Sequence, residues 1–443
     1  MQRFLVAEAA KHIGEKVKIS GWVNTWRAHG KILFIDLRDK SGIMQVVFVP
    51  SNKEAYELAQ TLRTEWVIEI TGQVVKRPGN MINDKIETGQ VEFSVESLVV
   101  LSEAQTPPIP VGEEVSEEPE MDKRMDWRWI DLRKPKNLLI FKVWTLMEAA
   151  LREYWLSNNY IEIHSPKLIA TASETGAEVF EVKYFEKKAY LAQSPQFYKQ
   201  MAMAAGFEKV FEVGPVFRAE PSFTSRHTTE FTGYDVEFSF VESHKDVMDE
   251  EERMLVYCLQ KIKSVYGEEI KKVFGREVVV PSIPFPKIPM KETKEILSNR
   301  GIKSDKDGDI SPEEERAICE YVKEKYGHEF VFITEYPITV RPFYHMRDEK
   351  NPKITKSFDL LWNGLEITTG AQREHRYDIL VKQAKEKDMN IKKLQFYLDF
   401  FKYGCPPHGG LGMGPSRMIM KLLGLDNVRD AMFIFRGVKR LTP

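Results

Sequence analysis

Along the first hundred residues, apolar and polar positions alternate in short runs broken by turn residues, at 17–23, 32–37, 43–48, 66–72 and 91–95. Alternation with period two marks a strand with one buried face. Five such runs, with a helical stretch near 52–63, predict a small barrel of the OB type. The segment TPPIPVGEEVSEEPE (106–120) is rich in proline and acid and predicts a linker. Beyond it, 146–156 reads as a helix and 209–219 as an apolar strand, followed by a loop and a returning strand that ends at 237. The expected class is α+β, with a barrel over 1–102, a linker and hinge over 103–134, and one large mixed domain over 135–443.

Composition narrows this little. The 443 residues are 42% hydrophobic and 29% charged, ordinary for a soluble globular chain. The net charge of -2 means that a nucleic-acid partner must meet local basic patches, since no global positive field exists to steer it. Cys258, Cys319 and Cys405 show no paired spacing, which argues against zinc or a disulfide framework and predicts a reducing cytoplasm. The first residues lack the apolar core of a signal peptide, and no apolar run of about 18 residues predicts a membrane span.

Candidate chemistry concentrates in two segments. In VFEVGPVFRAEPSFTSRHTTEFTGYDVE (210–237), Arg218 and Glu220 fall on one face of the predicted strand, one suited to a phosphate and the other to a base amino group. The loop adds Arg226 and His227, and the returning strand brings Phe231 within cross-strand reach, where a flat ring can stack on a base. The second segment, GCPPHGGLGMGPSR (404–417), is a glycine-rich strand that feeds a helix carrying Arg417; its glycines let a ligand approach the backbone.

These segments resemble motifs 2 and 3 of the class II aminoacyl-tRNA synthetases, and NYIEIHSP (159–166) resembles motif 1. The order of parts further resembles the aspartyl-tRNA synthetases with a short catalytic domain of the archaeal or eukaryotic kind. The resemblance covers nearly the whole chain. It implies a catalytic domain built on an antiparallel sheet flanked by helices, ATP as a substrate with Mg²⁺, and a homodimer with Pro166 at its interface. It also implies L-aspartate as the amino acid and tRNA(Asp) as acceptor; whether tRNA(Asn) is charged too is left open, with Asn24, Trp26 and 76–81 as the candidates for that choice.

Residue by residue, the resemblance assigns Arg218 to the α-phosphate, Arg417 to the γ-phosphate, Glu220 and Phe231 to adenine, and Arg226 and His227 to the outer phosphates. Glu366 and Thr369, in FDLLWNGLEITTGAQR (358–373), would hold Mg²⁺; many relatives have serine at 369, so the hydroxyl is kept. Glu178, Gln196, Lys199, Asp235 and Arg373 would bind aspartate, with Glu178 at the end of a loop, 173–178, that closes over it. In the barrel, Arg27, Phe34 and Gln45 match positions that hold the central anticodon base. Lys199 and Arg373 present two cations that neutral asparagine would leave unpaired, and an asparaginyl enzyme would lack the lysine. A tRNA-independent aspartate-activating ligase would lack the barrel, and a non-catalytic RNA-binding module would not need Arg218, Glu220, Glu366, Arg373 and Arg417 together. The acidic run 305–315 is not a calcium loop, because aligning its glycine puts Lys303 where an acid is required; it predicts a turn and a helix starting at Ser311 and Pro312.

Overall fold

The computed structural model describes residues 2–112, 118–172, 178–221, 224–304 and 306–443. The chain divides into two compact units, 1–139 with Pro443, and 140–442.

In the first unit, the alternating runs form strands β1 (Lys16–His29), β2 (Ile32–Asp39), β3 (Gly42–Phe48), β4 (Val67–Lys76) and β5 (Val91–Ser102), with helix α1 (Lys53–Thr61) between β3 and β4. They pair in the order β1-β2-β3-β5-β4, and β4 pairs back onto β1, so the expected OB barrel is closed. Its core is the inward half of each alternation, including Val17, Ile19, Ile35, Met44, Val46, Ile70 and Phe93. A Cβ on Gly72 would meet the Ser94 carbonyl oxygen at 2.0 Å, where the β4–β5 register shifts and the strands coil tightly.

The second unit is built on an eight-stranded sheet. Its strands are β6 (Ile161–Glu162), β7 (Lys209–Phe217), β8 (Glu230–Ser239), β9 (Lys287–Pro289), β10 (Phe330–Thr334), β11 (Ser357–Trp362), β12 (Glu366–Arg373) and β13 (His408–Met413). The order is β9-β10-β11-β12-β13-β8-β7-β6; only the two edge pairings are parallel, and the six central strands run antiparallel. Helices α2 (Pro135–Ser157), α3 (Gln196–Ala204), α4 (His244–Phe274), α5 (Pro312–Tyr326) and α6 (Pro415–Leu423) belong to the same mixed fold.

Two expectations about elements change. Helix α2 begins at Pro135 rather than 146, because proline suits a first turn, and the following stretch, with Lys136, Asn137 and Lys142 set among apolar residues, shows little helical period. Strand β7 stops at Phe217, although the Arg218 N–H still donates to the Thr229 carbonyl at 2.9 Å. Helix α5 starts as expected, its Ser311 hydroxyl accepting from the Glu314 N–H and Pro312 at its first turn; Asp305 and the loop 173–177 lie outside the described residues. Among the described residues, no helix is long and apolar enough to cross a membrane. The three cysteines are unpaired and buried.

Candidate active site

Strands β7, β8, β12 and β13, with the start of α6, form the floor of one cleft, and α3 contributes to its wall. Because β8 lies beside β13, Asp235 and Glu237 project over the glycines of the neighbouring strand. A Cβ on Gly410 would meet a Glu237 carboxylate oxygen at 2.3 Å, and one on Gly412 would meet Asp235 at 3.3 Å. The glycine row therefore makes room for the chain's own carboxylates, a use that the expectation of ligand approach did not include.

Those carboxylates meet two buried cations. Lys199 Nζ, from α3, lies 2.8 Å from Asp235 and 3.3 Å from Glu237, and donates to the Leu411 carbonyl at 3.1 Å. Arg373 Nε donates to Glu237 at 2.9 Å and a second nitrogen to the Gly410 carbonyl at 2.9 Å. Its third nitrogen contacts His345 Nε2 at 3.0 Å. Burial alone would raise the Glu237 carboxyl; Arg373 and Lys199 outweigh it and hold the group below the usual range. Burial and the Arg373 charge keep the His345 ring well below its ordinary value, so it stays neutral and accepts from the guanidinium. Two cations and two anions thus cancel. The expectation that neutral asparagine would leave both cations unpaired is therefore modified: each already has a carboxylate partner inside the chain.

The other end of the cleft is different. Arg218 has no carboxylate partner among the described residues; its guanidinium sits 5.4 Å from the centre of the Phe231 ring, and its Nε is buried without a hydrogen bond. Phe231 pairs with Val216, and so shares a face with Arg218 as the alternation required. Arg417 donates to the Glu366 carbonyl at 2.9 Å and lies 3.4 Å from its carboxylate. Arg226 pairs with Glu315 of α5 at 2.6 Å, and Glu315 also accepts from the Glu366 N–H. Burial, then the charges of Arg417, Arg226 and Arg218, pushes His227 down to about 4. Three guanidinium groups, two held by carboxylates and that of Arg218 without one among the described residues, give a polyanion its donors here. The Thr369 hydroxyl donates to Glu366 at 3.3 Å.

Every residue expected at the ATP or aspartate end lines this cleft except Glu178. Glu178 is exposed beside the loop outside the described residues, and its carbonyl accepts from the Ala219 N–H at 3.1 Å. Pro166 is exposed, in an extended segment away from the cleft lining. In the barrel, Arg27 and Phe34 are cross-strand partners, Arg27 pairs with Asp36 at 3.0 Å, and Gln45 donates to Glu92 at 3.2 Å. Of the candidates for acceptor choice, Asn24 accepts from Arg38 and the Trp26 indole donates to the Ala59 carbonyl. Sequence reasoning missed Glu237, Glu315, His345 and Arg341. Glu237 was within reach, since it alternates with Asp235 on the same strand face; Glu315 comes from a distant helix with no local signal.

An antiparallel sheet bearing this cleft, in a chain that opens with an OB barrel, is the architecture of a class II synthetase. The family model described as tRNA synthetases class II (D, K and N) matches residues 120–435, and that of the OB-fold nucleic acid binding domain matches residues 17–101. The chain belongs to this class II family, the aspartate, lysine and asparagine group of the aminoacyl-tRNA synthetases. It is 41% identical to the aspartate-tRNA(Asp/Asn) ligase of Aeropyrum pernix, covering 99% of this chain and 98% of that one. It is 43% identical to the aspartate-tRNA(Asp) ligase of Pyrococcus abyssi, covering 97% of each. Among solved structures, it resembles the asparaginyl-tRNA synthetase of Pyrococcus horikoshii complexed with asparaginyl-adenylate, with a TM-score of 0.91 at 32% identity and 100% of both chains covered. It also resembles the aspartyl tRNA synthetase of Entamoeba histolytica, with a TM-score of 0.87 at 31% identity, covering 100% of this chain and 93% of that one.

Proposed function

We propose that this chain activates L-aspartate with ATP as aspartyl-adenylate and transfers it to tRNA(Asp), with tRNA(Asn) as the second acceptor to be tested. The observation that carries this reading is the neutral cluster of Lys199, Arg373, Asp235 and Glu237 in one cleft with Arg218, which has no carboxylate partner among the described residues. An incoming aspartate exchanges partners with it: the α-ammonium takes Asp235, and the side-chain carboxylate takes Lys199 and the Arg373 fork. All charges remain paired. Asparagine would also occupy Asp235 but would leave two cations sharing Glu237, one buried positive charge uncompensated, at a cost of roughly several kcal/mol.

The α-carboxylate, so held, faces the cationic end. Its oxygen attacks the α-phosphorus, the bond to pyrophosphate breaks, and pyrophosphate leaves; then the terminal ribose hydroxyl of tRNA attacks the acyl carbon and AMP departs. The protein contributes position and charge and no nucleophile. Arg218 serves the α-phosphate, Arg226, His227 and Arg417 the outer phosphates, and Glu220 and Phe231 the base. Mg²⁺ fits Glu366 and Thr369: one carboxylate and one hydroxyl suit an ion that takes its remaining ligands from phosphates and water. When bound, it supplies further neutralisation of phosphate charge. The reading includes Arg27, Phe34 and Gln45 on the anticodon and a homodimer through the segment bearing Pro166.

Charging of paired tRNA(Asp) and tRNA(Asn) transcripts with labelled aspartate, with labelled asparagine as control, tests this. Aspartate on tRNA(Asp) alone means a discriminating enzyme, and aspartate on both a non-discriminating one. Asparagine as the preferred substrate would overturn the reading.

A further inference from the structure

From α3 inward runs a buried chain of polar side chains, of which only Gln196 has been given a part in the reaction. The Tyr397 hydroxyl donates to Gln200 Oε1 at 2.9 Å, Gln196 Nε2 donates to the same oxygen at 3.0 Å, and Gln200 Nε2 meets His408 Nε2 at 2.9 Å. All four side chains are buried. On its far side, His408 Nδ1 lies 2.8 Å from the Pro406 carbonyl oxygen, which can only accept, so Nδ1 carries a proton. Burial pushes the ring down to about 4, which keeps it neutral and leaves a lone pair on Nε2.

The orientations then follow in sequence. Gln200 must turn its NH₂ to the ring and its oxygen to Gln196. Gln196 must therefore spend an N–H on Gln200, which leaves its own carbonyl oxygen for the cleft it lines. That oxygen has no partner among the described residues. The only donor on free aspartate is its ammonium.

We propose that His408 and Gln200 are positioning residues that lock the Gln196 amide with its oxygen toward the amino acid, where it accepts from the substrate α-ammonium. A flipped amide would aim N–H groups at that cation and replace attraction with repulsion. This rests on the reading of the cleft given above.

The test is aspartate-dependent ATP–pyrophosphate exchange by the full-length protein, with KM for aspartate and for ATP measured in wild type, Gln196→Ala, Gln200→Leu and the double variant. Gln200→Leu should raise KM for aspartate roughly tenfold or more, with KM for ATP within about twofold. In the Gln196→Ala background the same change should add less than about twofold, because the residue it acts through is gone. Gln200→Met, close to glutamine in volume and without a donor or an acceptor, should give the same selective rise, which also covers a failure of the leucine variant to fold. An equal effect of Gln200→Leu in both backgrounds, or a methionine variant with the wild-type KM for aspartate, would overturn the lock. Absence of aspartate-dependent exchange in the wild type would instead sink the functional reading itself, and with it the lock.

Discussion

Lys199 is 1% exposed, and its ammonium is shared by two carboxylates. Removing it leaves Asp235 and Glu237 with Arg373 alone, so Lys199→Met should destabilise the chain by about 3–5 kcal/mol. Adding Glu237→Gln should restore part of that stability but none of the aspartate activation, since the cation that meets the substrate carboxylate stays absent. Chemical denaturation and pyrophosphate exchange read the two effects separately. A Lys199→Met protein with unchanged stability and exchange would refute the exchange-of-partners scheme. At this scale the site was readable wherever one residue does one job: Arg218, Phe231 and Arg417 stand where strand alternation and the helix start put them. Pairings across distant segments, Arg226 with Glu315 or Arg373 with His345, were not, because nothing local in the chain marks them.

On helix α4, Glu251 is fully buried and, among the described residues, neither carboxylate oxygen has a hydrogen bond of good geometry. Burial, opposed by the nearby Thr368 hydroxyl and helped by the Glu252 and Asp359 charges, pushes its carboxyl up to about 8. A raised folded value means that the folded chain keeps its proton while the unfolded chain has lost it. Stability from this group is therefore complete below about pH 4.5 and lost as pH rises through about 8. Glu251→Gln removes the titration and should make the protein more stable than wild type at pH 8 by on the order of 3 kcal/mol, the gap closing toward pH 5. Melting temperatures of both proteins across that range check it, and parallel curves would refute it. Elements with a clean period, the barrel strands above all, were legible in the sequence. The first half of helix α2 was not, since its polar residues, Lys136, Asn137 and Lys142, mark no single face, and the end of β7 blurred because Arg218 keeps a ladder hydrogen bond after the strand proper has stopped.

For the molecule as a whole, the barrel's apolar core draws only on residues between Val6 and Val95, with flanking contacts no further than Val100. A fragment of residues 1–104 should therefore unfold cooperatively by itself and bind an anticodon stem-loop, and Phe34→Ala should weaken that binding by about 1–3 kcal/mol. Gradual, non-cooperative melting of the fragment would contradict this. The same economy of charge holds across scales, from a chain whose net charge is -2 to the ion cluster of Lys199, Asp235, Glu237 and Arg373. Because those four ions already satisfy one another, the recess they line offers little pull to chloride, acetate or a stray dicarboxylic acid. Only a zwitterion, carrying both signs at the right separation, can trade into it, so the pocket screens out simple anions before any step of chemistry begins.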